Sequence, residues 1–141
     1  MTIQSILKSK GAEFISIDSL ATVADAVALL AQKRIGALPV LEGGRVVGVF
    51  SERDVIYGLA EAGGHALSRS VGDVMTAPPV TVASDCPVLT ALSLMTQRRI
   101  RHLPVVDAEA LIGFVSIGDL VKFRIDRIEA EAEALRDYIS S

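Results

Sequence analysis

The amino-acid sequence predicts an α/β fold of the α+β kind, in which two copies of one β-α-β-β-α unit pack together as a pseudo-two-fold pair. Three observations lead to this prediction. The chain aligns with itself, without a gap, at an offset of 65 residues. Within each copy, short apolar runs of strand length alternate with segments of helical periodicity. Neither copy is long enough to cover both faces of its own sheet, so we expect the two copies to share a core. A helical extension follows at the C-terminus.

The internal repeat sets the predicted domain boundaries. Identical residues in the first copy include Val23, Ala26, Gln32, Arg34, Ile35, Leu38, Pro39, Val40, Gly48, Ser51 and Asp54, which return as Val88, Ala91, Gln97, Arg99, Ile100, Leu103, Pro104, Val105, Gly113, Ser116 and Asp119. Two copies are too few for a solenoid, which needs at least three. We expect an N-terminal helix and the first repeat in residues 1–65, a linker in 66–79, the second repeat in 80–125 and a helical tail in 126–141.

The strands follow from short apolar runs that are bounded by turn residues. The first strand of each unit is expected at residues 14–17 and 80–82, each ending at a polar corner. A hairpin is expected next, with strands at 38–41 and 45–50 around Gly43-Gly44 in the first copy, and at 103–106 and 111–115 in the second copy.

The helices follow from apolar residues at helical spacing. One helix of each unit carries such a stripe, made of Val23, Ala26, Val27, Leu30 and Ala31 in the first copy and Val88, Ala91, Leu92 and Met95 in the second. A second helix begins at Ser51 in the first copy and at Ser116 in the second. The linker segment 71–75 is expected to form a short helical turn.

Composition and charge exclude several classes of protein. The net charge is −3 and only 4% of the residues are aromatic, which argues against a nucleic-acid-binding protein. The single cysteine, Cys86, cannot form an internal disulfide, and with only His65 and His102 it cannot build a zinc site. The longest apolar-rich stretch, residues 20–31, is interrupted by polar side chains and is too short to span a bilayer. We therefore expect a cytoplasmic protein without a membrane segment or a metal.

The most informative motif is a Ser-x-x-Asp sequence that follows a strand in both copies. Ser51 and Asp54 form the first instance, and Ser116 and Asp119 form the second. One interpretation is structural, because Ser and Asp at this spacing can cap a helix N-terminus. The other is functional, because the same corner presents free backbone N–H groups to an anion and its carboxylate can accept hydrogen bonds from ribose hydroxyls. Both interpretations can hold together.

A second candidate group is cationic. Arg101 and His102 precede the Leu-Pro of the second copy, where the first copy has Gly36 and Ala37, so the fold does not require them. Such a pair at the edge of a pocket suits a phosphate, although both side chains could also lie solvated at a strand end. Further candidate cations are Arg53 and Lys122.

Taken together, these motifs resemble a tandem pair of CBS domains, also called a Bateman module, over roughly residues 10 to 125. The doubled Ile-x-x-Leu-Pro-Val, each copy followed by Gly-x-x-Ser-x-x-Asp, carries the resemblance. It implies two clefts that bind adenosine ligands: AMP first, with ADP, ATP, NAD or S-adenosylmethionine as alternatives. It places Asp54, Asp119, Ser51 and Ser116 at ribose and Arg101 and His102 at phosphate, and it places Ile17, Thr22, Val82 and Ser84 near adenine.

The resemblance implies a regulatory rather than a catalytic protein. A stand-alone module of this kind would sense energy or redox state and pass the signal on through its conformation or its affinity for a protein target. No catalytic residue or catalytic cofactor is expected. Because Gly36 and Ala37 depart from the Arg-His pair, phosphate coordination is expected to be incomplete in one of the two clefts. The alternative is a structural dimerisation module whose nucleotide clefts are vestigial.

The C-terminal segment carries its own pattern. Apolar residues recur at spacings of 4, 3, 4, 3 and 4 through Val121, Ile125, Ile128, Ala132, Leu135 and Ile139. This heptad seam favours a homodimer, but the seam is shorter than an established coiled coil and could instead pack on its own module.

Overall fold

The computed structural model describes residues 1–141 and confirms the α/β fold of two repeats with a C-terminal helix. The first half contains α1 (Ile3–Lys10), β1 (Ile17–Asp18), α2 (Val23–Lys33), β2 (Ala37–Glu42), β3 (Arg45–Ser51), α3 (Glu52–Ala62) and a 3₁₀ helix (Gly63–Ser68). The second half contains α4 (Val71–Val74), α5 (Val88–Arg98), β4 (His102–Asp107), β5 (Ala110–Ser116) and α6 (Ile117–Ser140).

Each of the two sheets contains a β-hairpin, and the two hairpins have equivalent pairing. Strands β2 and β3 pair antiparallel, and β4 and β5 repeat the pairing with a register shift at the equivalent place, after Val40 in one hairpin and after Val105 in the other. Strand β1 adds to the first sheet, parallel to β2. Its counterpart, expected at 80–82, is reduced to a single bridge between Val82 and Val105.

Each repeat is completed by the segment that precedes the other. Helix α1 lies in the core of the second repeat, where Leu7 packs against the site of Gly113. Helix α4 lies in the core of the first repeat, where Met75 packs against the site of Gly48 in the same way. A Cβ at either glycine would come within 3.0 Å of these side chains, so a larger residue at either position forces a neighbouring group to shift. The two cores are therefore interlocked along the chain.

The helices α2 and α5 both end on an arginine in the left-handed conformation. Arg34 has φ 54° and Arg99 has φ 55°, and each closes its helix through backbone hydrogen bonds. This conformation turns the chain back into β2 and β4. It also places Arg34 at the entrance to the space between the repeats.

The last helix leaves the body of the molecule. Leu120 is fully buried and Phe123 packs against the core, whereas every residue from Ile125 to the C-terminus is exposed. None of the helices combines the length and the apolar character that a bilayer crossing demands.

Candidate functional site

A cleft of about 580 Å³ lies between the two repeats. The first half of the chain contributes Lys10 of α1, residues 13–15 before β1 and residues 34–37 at the start of β2. The second half contributes His102, Phe114, Ser116 and Asp119. The cleft thus joins one of the predicted Ser-x-x-Asp corners to the start of both hairpins.

The corner at Ser116 and Asp119 forms a capping box at the start of α6. The Asp119 N–H donates to Ser116 Oγ at 3.1 Å, and the Ser116 N–H donates to Asp119 Oδ2 at 2.8 Å. The structural interpretation of the motif therefore holds here. It leaves room for the functional one, because every hydrogen bond to this carboxylate goes to Oδ2 and Oδ1 remains free to accept from a ligand.

Lys10 contacts the same oxygen of this carboxylate as the Ser116 N–H. Its ammonium donates to Asp119 Oδ2 at 2.7 Å and to the carbonyl oxygen of Phe114 at 3.0 Å. Burial acts to raise the pKa of Asp119, but the hydrogen bonds from Lys10 and from the Ser116 N–H outweigh it and hold the pKa below its usual value. The carboxylate is therefore ionised and paired with a cation that a side-chain rotation can remove.

His102 forms a second wall of the cleft. Its ring stacks on Phe114 with 5.5 Å between ring centroids and 13° between the planes. Burial lowers its pKa, and the nearby carboxylates of Asp119 and Glu52 offset only part of that effect. His102 is thus neutral in the free protein at pH 7, and it would gain a proton more readily beside a bound phosphate.

The small residues at the start of β2, Gly36 and Ala37, lie opposite His102. A Cβ built on Gly36 would stand 3.7 Å from His102 Cε1 and 3.6 Å from Glu52 Oε1. Gly36 and Ala37 line the same cleft as His102. The absence of larger side chains at these two positions therefore keeps the cleft open on this side.

The corner at Ser51 and Asp54 is closed by the chain itself. Asp54 is 8% exposed, and its Oδ2 accepts from the Ser51 N–H at 2.9 Å and from the Ser51 hydroxyl at 3.2 Å. The other oxygen, Oδ1, accepts from the hydroxyl of Thr76 at 2.9 Å. Thr76 is in turn held by two backbone hydrogen bonds to Val49, of 2.9 and 3.0 Å. The two corners are therefore alike in sequence and different in accessibility.

Of the four cations proposed for phosphate, only His102 lines the cleft. Arg101 is exposed at the start of β4, Arg53 donates to the carbonyl of Arg99 at 3.4 Å, and Lys122 pairs with Asp126 at 2.7 Å. The structure places two other cations at the cleft, Lys10 and Arg34. Arg34 recurs in the repeat as Arg99 but was not among the candidate cations, and no sequence pattern connects Lys10 with the second repeat.

The four residues expected near adenine lie outside the cleft. Ile17 pairs within the sheet, Thr22 caps α2 by accepting from the Asp25 N–H, Val82 is buried in the second core, and Ser84 donates to Asp107. Phe14 and Ile15 line the cleft instead. The chain passes the cleft before it enters β1, so the side chains upstream of the strand, rather than those after it, face the space.

Comparison with known proteins agrees with this architecture. A family model for the CBS domain matches residues 8–61 and 71–126. The mitochondrial CBS domain-containing protein CBSX3 of Arabidopsis thaliana is 37% identical over 98% of this chain and 71% of its own length. The crystal structure of the CBS-domain protein ATU1752 of Agrobacterium tumefaciens superposes with a TM-score of 0.84, at 32% identity, over 88% of this chain and 99% of that one. The crystal structure of CBSX2 in complex with AMP superposes with a TM-score of 0.72, at 30% identity, over 81% of this chain and 89% of that one.

Proposed function

The chain belongs to the CBS-domain family, with two CBS domains in tandem, and we propose that it is a regulatory module that binds an adenine nucleotide between them. The observation that carries the proposal is the Asp119 corner, where a carboxylate with one unengaged oxygen lies in a cleft that also holds cationic side chains. A nucleotide needs both features, since its ribose donates hydrogen bonds and its phosphate carries negative charge. The AMP bound to CBSX2 supports the same class of ligand.

The geometry suggests how each part of the nucleotide is held. The ribose hydroxyls donate to Asp119 Oδ1, next to Ser116. The phosphate lies among Lys10, Arg34 and His102, which approach the cleft from three separate elements. The apolar wall of Phe14 and Ile15 receives the adenine ring. AMP is the proposed ligand, with NAD or ATP as alternatives that would extend their further phosphates into solvent.

Binding in this way couples the nucleotide to the rest of the molecule. Lys10 moves from Asp119 to the phosphate, and it belongs to α1, which packs in the core of the second repeat. A ligand shifts such an equilibrium only by its differential affinity for the two arrangements. The proposed output is a change in conformation or in affinity for a protein target, as in an energy or redox-state sensor. No catalytic step is proposed, and we place the protein in the cytoplasm as a homodimer.

The Ser51 and Asp54 corner is proposed as a weaker second site. Its carboxylate becomes available only when Thr76 leaves Asp54 Oδ1. We also propose that phosphate is contacted, at that site or after a conformational change, by Arg101, Arg53 and Lys122.

Thermal unfolding tests the proposal directly. A ligand that binds only the folded protein adds about 2.7 kcal/mol of stability at 100 times its dissociation constant. We expect AMP to raise the Tm of the native protein and to lose this effect in Asp119→Asn, each variant being compared with its own ligand-free melt. ATP, NAD and S-adenosylmethionine are tested in parallel. If none of the four raises the Tm of the native protein, the proposal is wrong.

One observation favours the alternative of a structural module with vestigial clefts. Both ribose carboxylates are already paired within the chain, Asp54 with Thr76 and Asp119 with Lys10. Flat melts with every nucleotide, together with an intact dimer, would support that alternative.

A further inference from the structure

The exposed part of α6 presents an apolar face that nothing in the chain covers. Residues 125–140 extend about 24 Å at the rise of an α-helix. The five large seam residues, Val121, Ile125, Ile128, Leu135 and Ile139, are between 42% and 73% exposed. The seam therefore does not pack on its own module, and a helix with a free heptad seam is stabilised by pairing with another.

We propose that α6 pairs with the same helix of a second copy as a parallel two-stranded coiled coil. This inference deepens the proposed homodimer by naming its surface and orientation, and it does not depend on nucleotide binding. The heptad assigns Ile125, Ala132 and Ile139 to a positions and Val121, Ile128 and Leu135 to d positions.

The charged residues that flank the seam favour a parallel orientation. In a parallel pair, a g residue faces the e residue five positions further along the partner. This rule sets Arg124 opposite Glu129 and Glu131 opposite Arg136, and two-fold symmetry repeats both pairs. All four contacts are attractive. Within one chain Glu131 meets Arg127 at 3.5 Å, but that pair is solvent-exposed and easily shared.

The antiparallel arrangement is less favourable for the same residues. With the whole seam overlapped, e residues face e residues and g residues face g residues, so Glu129 and Glu131 each face their own copy and Lys122 faces Arg136. Sliding the helices by one heptad restores opposite charges, but it leaves Leu135 and Ile139 uncovered. Only the parallel pair satisfies the charges and covers the seam together.

Charge reversal tests the surface. We expect Glu129→Arg to weaken the dimer by about tenfold or more, because it sets arginine against Arg124 in both symmetric contacts. The double variant Arg124→Glu/Glu129→Arg restores the attraction and the dimer. Glu133→Arg is the matched control, since it makes the same charge change at an outward b position. Both single variants keep favourable neighbours within the helix, so circular dichroism should show the helix intact.

Cysteine cross-linking tests the orientation. In a Cys86→Ala background, Ile139→Cys places two thiols at the same a layer of a parallel pair, and mild oxidation gives a covalent dimer. An antiparallel pair separates these thiols by the length of the seam and gives none.

The possible results separate the proposals. A native protein that is monomeric by light scattering at micromolar concentration overturns both the homodimer and this inference. A native dimer that Glu129→Arg leaves unchanged overturns the inference and keeps a homodimer through another face. A dimer that Glu129→Arg weakens but Ile139→Cys fails to cross-link overturns the parallel orientation. None of these results bears on nucleotide binding.

Discussion

Replacing Lys10 by methionine should weaken the binding of AMP and leave the binding of adenosine nearly unchanged. Methionine keeps the length of the side chain and removes the charge that Lys10 places on Asp119 at 2.7 Å. The two side chains are 33% and 29% exposed, so the ion pair and its hydrogen bond contribute about 1 kcal/mol to the free protein. A nucleotide whose phosphate draws Lys10 away from Asp119 gives up that contribution, whereas a ligand that uses only the unengaged Oδ1 does not.

The magnitude differs between the two ligands because only one carries a phosphate. Adenosine gains nothing from Lys10 and uses the unengaged Asp119 Oδ1, so its affinity should change little in Lys10→Met. AMP loses a charge-assisted hydrogen bond worth about 1.5–3 kcal/mol and recovers ~1 kcal/mol, so it should bind roughly 2- to 30-fold more weakly. The ligand-free Tm should fall by about 3 °C.

Isothermal titration calorimetry with both ligands measures the two shifts. Lys8→Met is the matched control, because Lys8 lies exposed on the same helix and has no hydrogen-bond partner. If the affinity for AMP does not fall in Lys10→Met, or if the affinity for adenosine falls equally, then Lys10 does not exchange Asp119 for the phosphate, and the proposed coupling fails.

Three further predictions follow from the cleft and the interlocked cores. Arg34→Gly should weaken AMP binding without loss of stability, because glycine suits the left-handed conformation at φ 54°. The control is Arg99→Gly, at φ 55°, which should leave AMP binding in the open cleft unchanged. Thermal melts and AMP titrations of both variants test this. Burial lowers the pKa of His102, and a phosphate favours its charged form, so AMP but not adenosine should bind more tightly as the pH falls from about 8 to 6.5. In the free protein the unfolded chain takes up this proton first, so stability should fall as the pH drops below about 6.5, and His102→Asn should remove both effects. Gly48→Ala should destabilise more than Gly113→Ala in urea, because a Cβ at the first site meets a backbone oxygen at 2.8 Å and at the second only a flexible leucine side chain at 2.7 Å.

Local patterns were enough to predict the fold and the two corners. The Ser-x-x-Asp capping box at Ser116 and Asp119 depends on residues three positions apart, and such short-range geometry can be read directly from spacing. The hairpins and amphipathic helices follow in the same way. The fold class was predictable because the patterns of the two copies indicate the same order of strands and helices.

The cations that line the cleft, and the side chains that cover the two aspartates, are placed by contacts between distant parts of the chain. Lys10 and Asp119 are 109 positions apart, and they meet because α1 folds onto the second repeat rather than the first. The pattern of α1 shows that it has an apolar face but does not show which core receives it. The same limit applies to Thr76, whose contact with Asp54 depends on the path of the linker.

Two identical motifs thus become unlike sites because different segments cover them. The cover over Asp119 is one lysine side chain, which can rotate away without moving the backbone. Thr76 covers Asp54, and the backbone of Thr76 pairs with Val49 through two hydrogen bonds. Uncovering this carboxylate therefore breaks that β-bridge as well as the side-chain contact. Three hydrogen bonds are lost in all, and each contributes about 1 kcal/mol, which corresponds to a penalty of roughly a hundredfold in affinity at the second corner. We therefore expect calorimetry to give one tightly bound AMP per chain. Thr76→Ala removes the contact with Asp54 Oδ1 and should strengthen binding at the second corner, whereas two equal sites in the native protein would contradict this account of the covers.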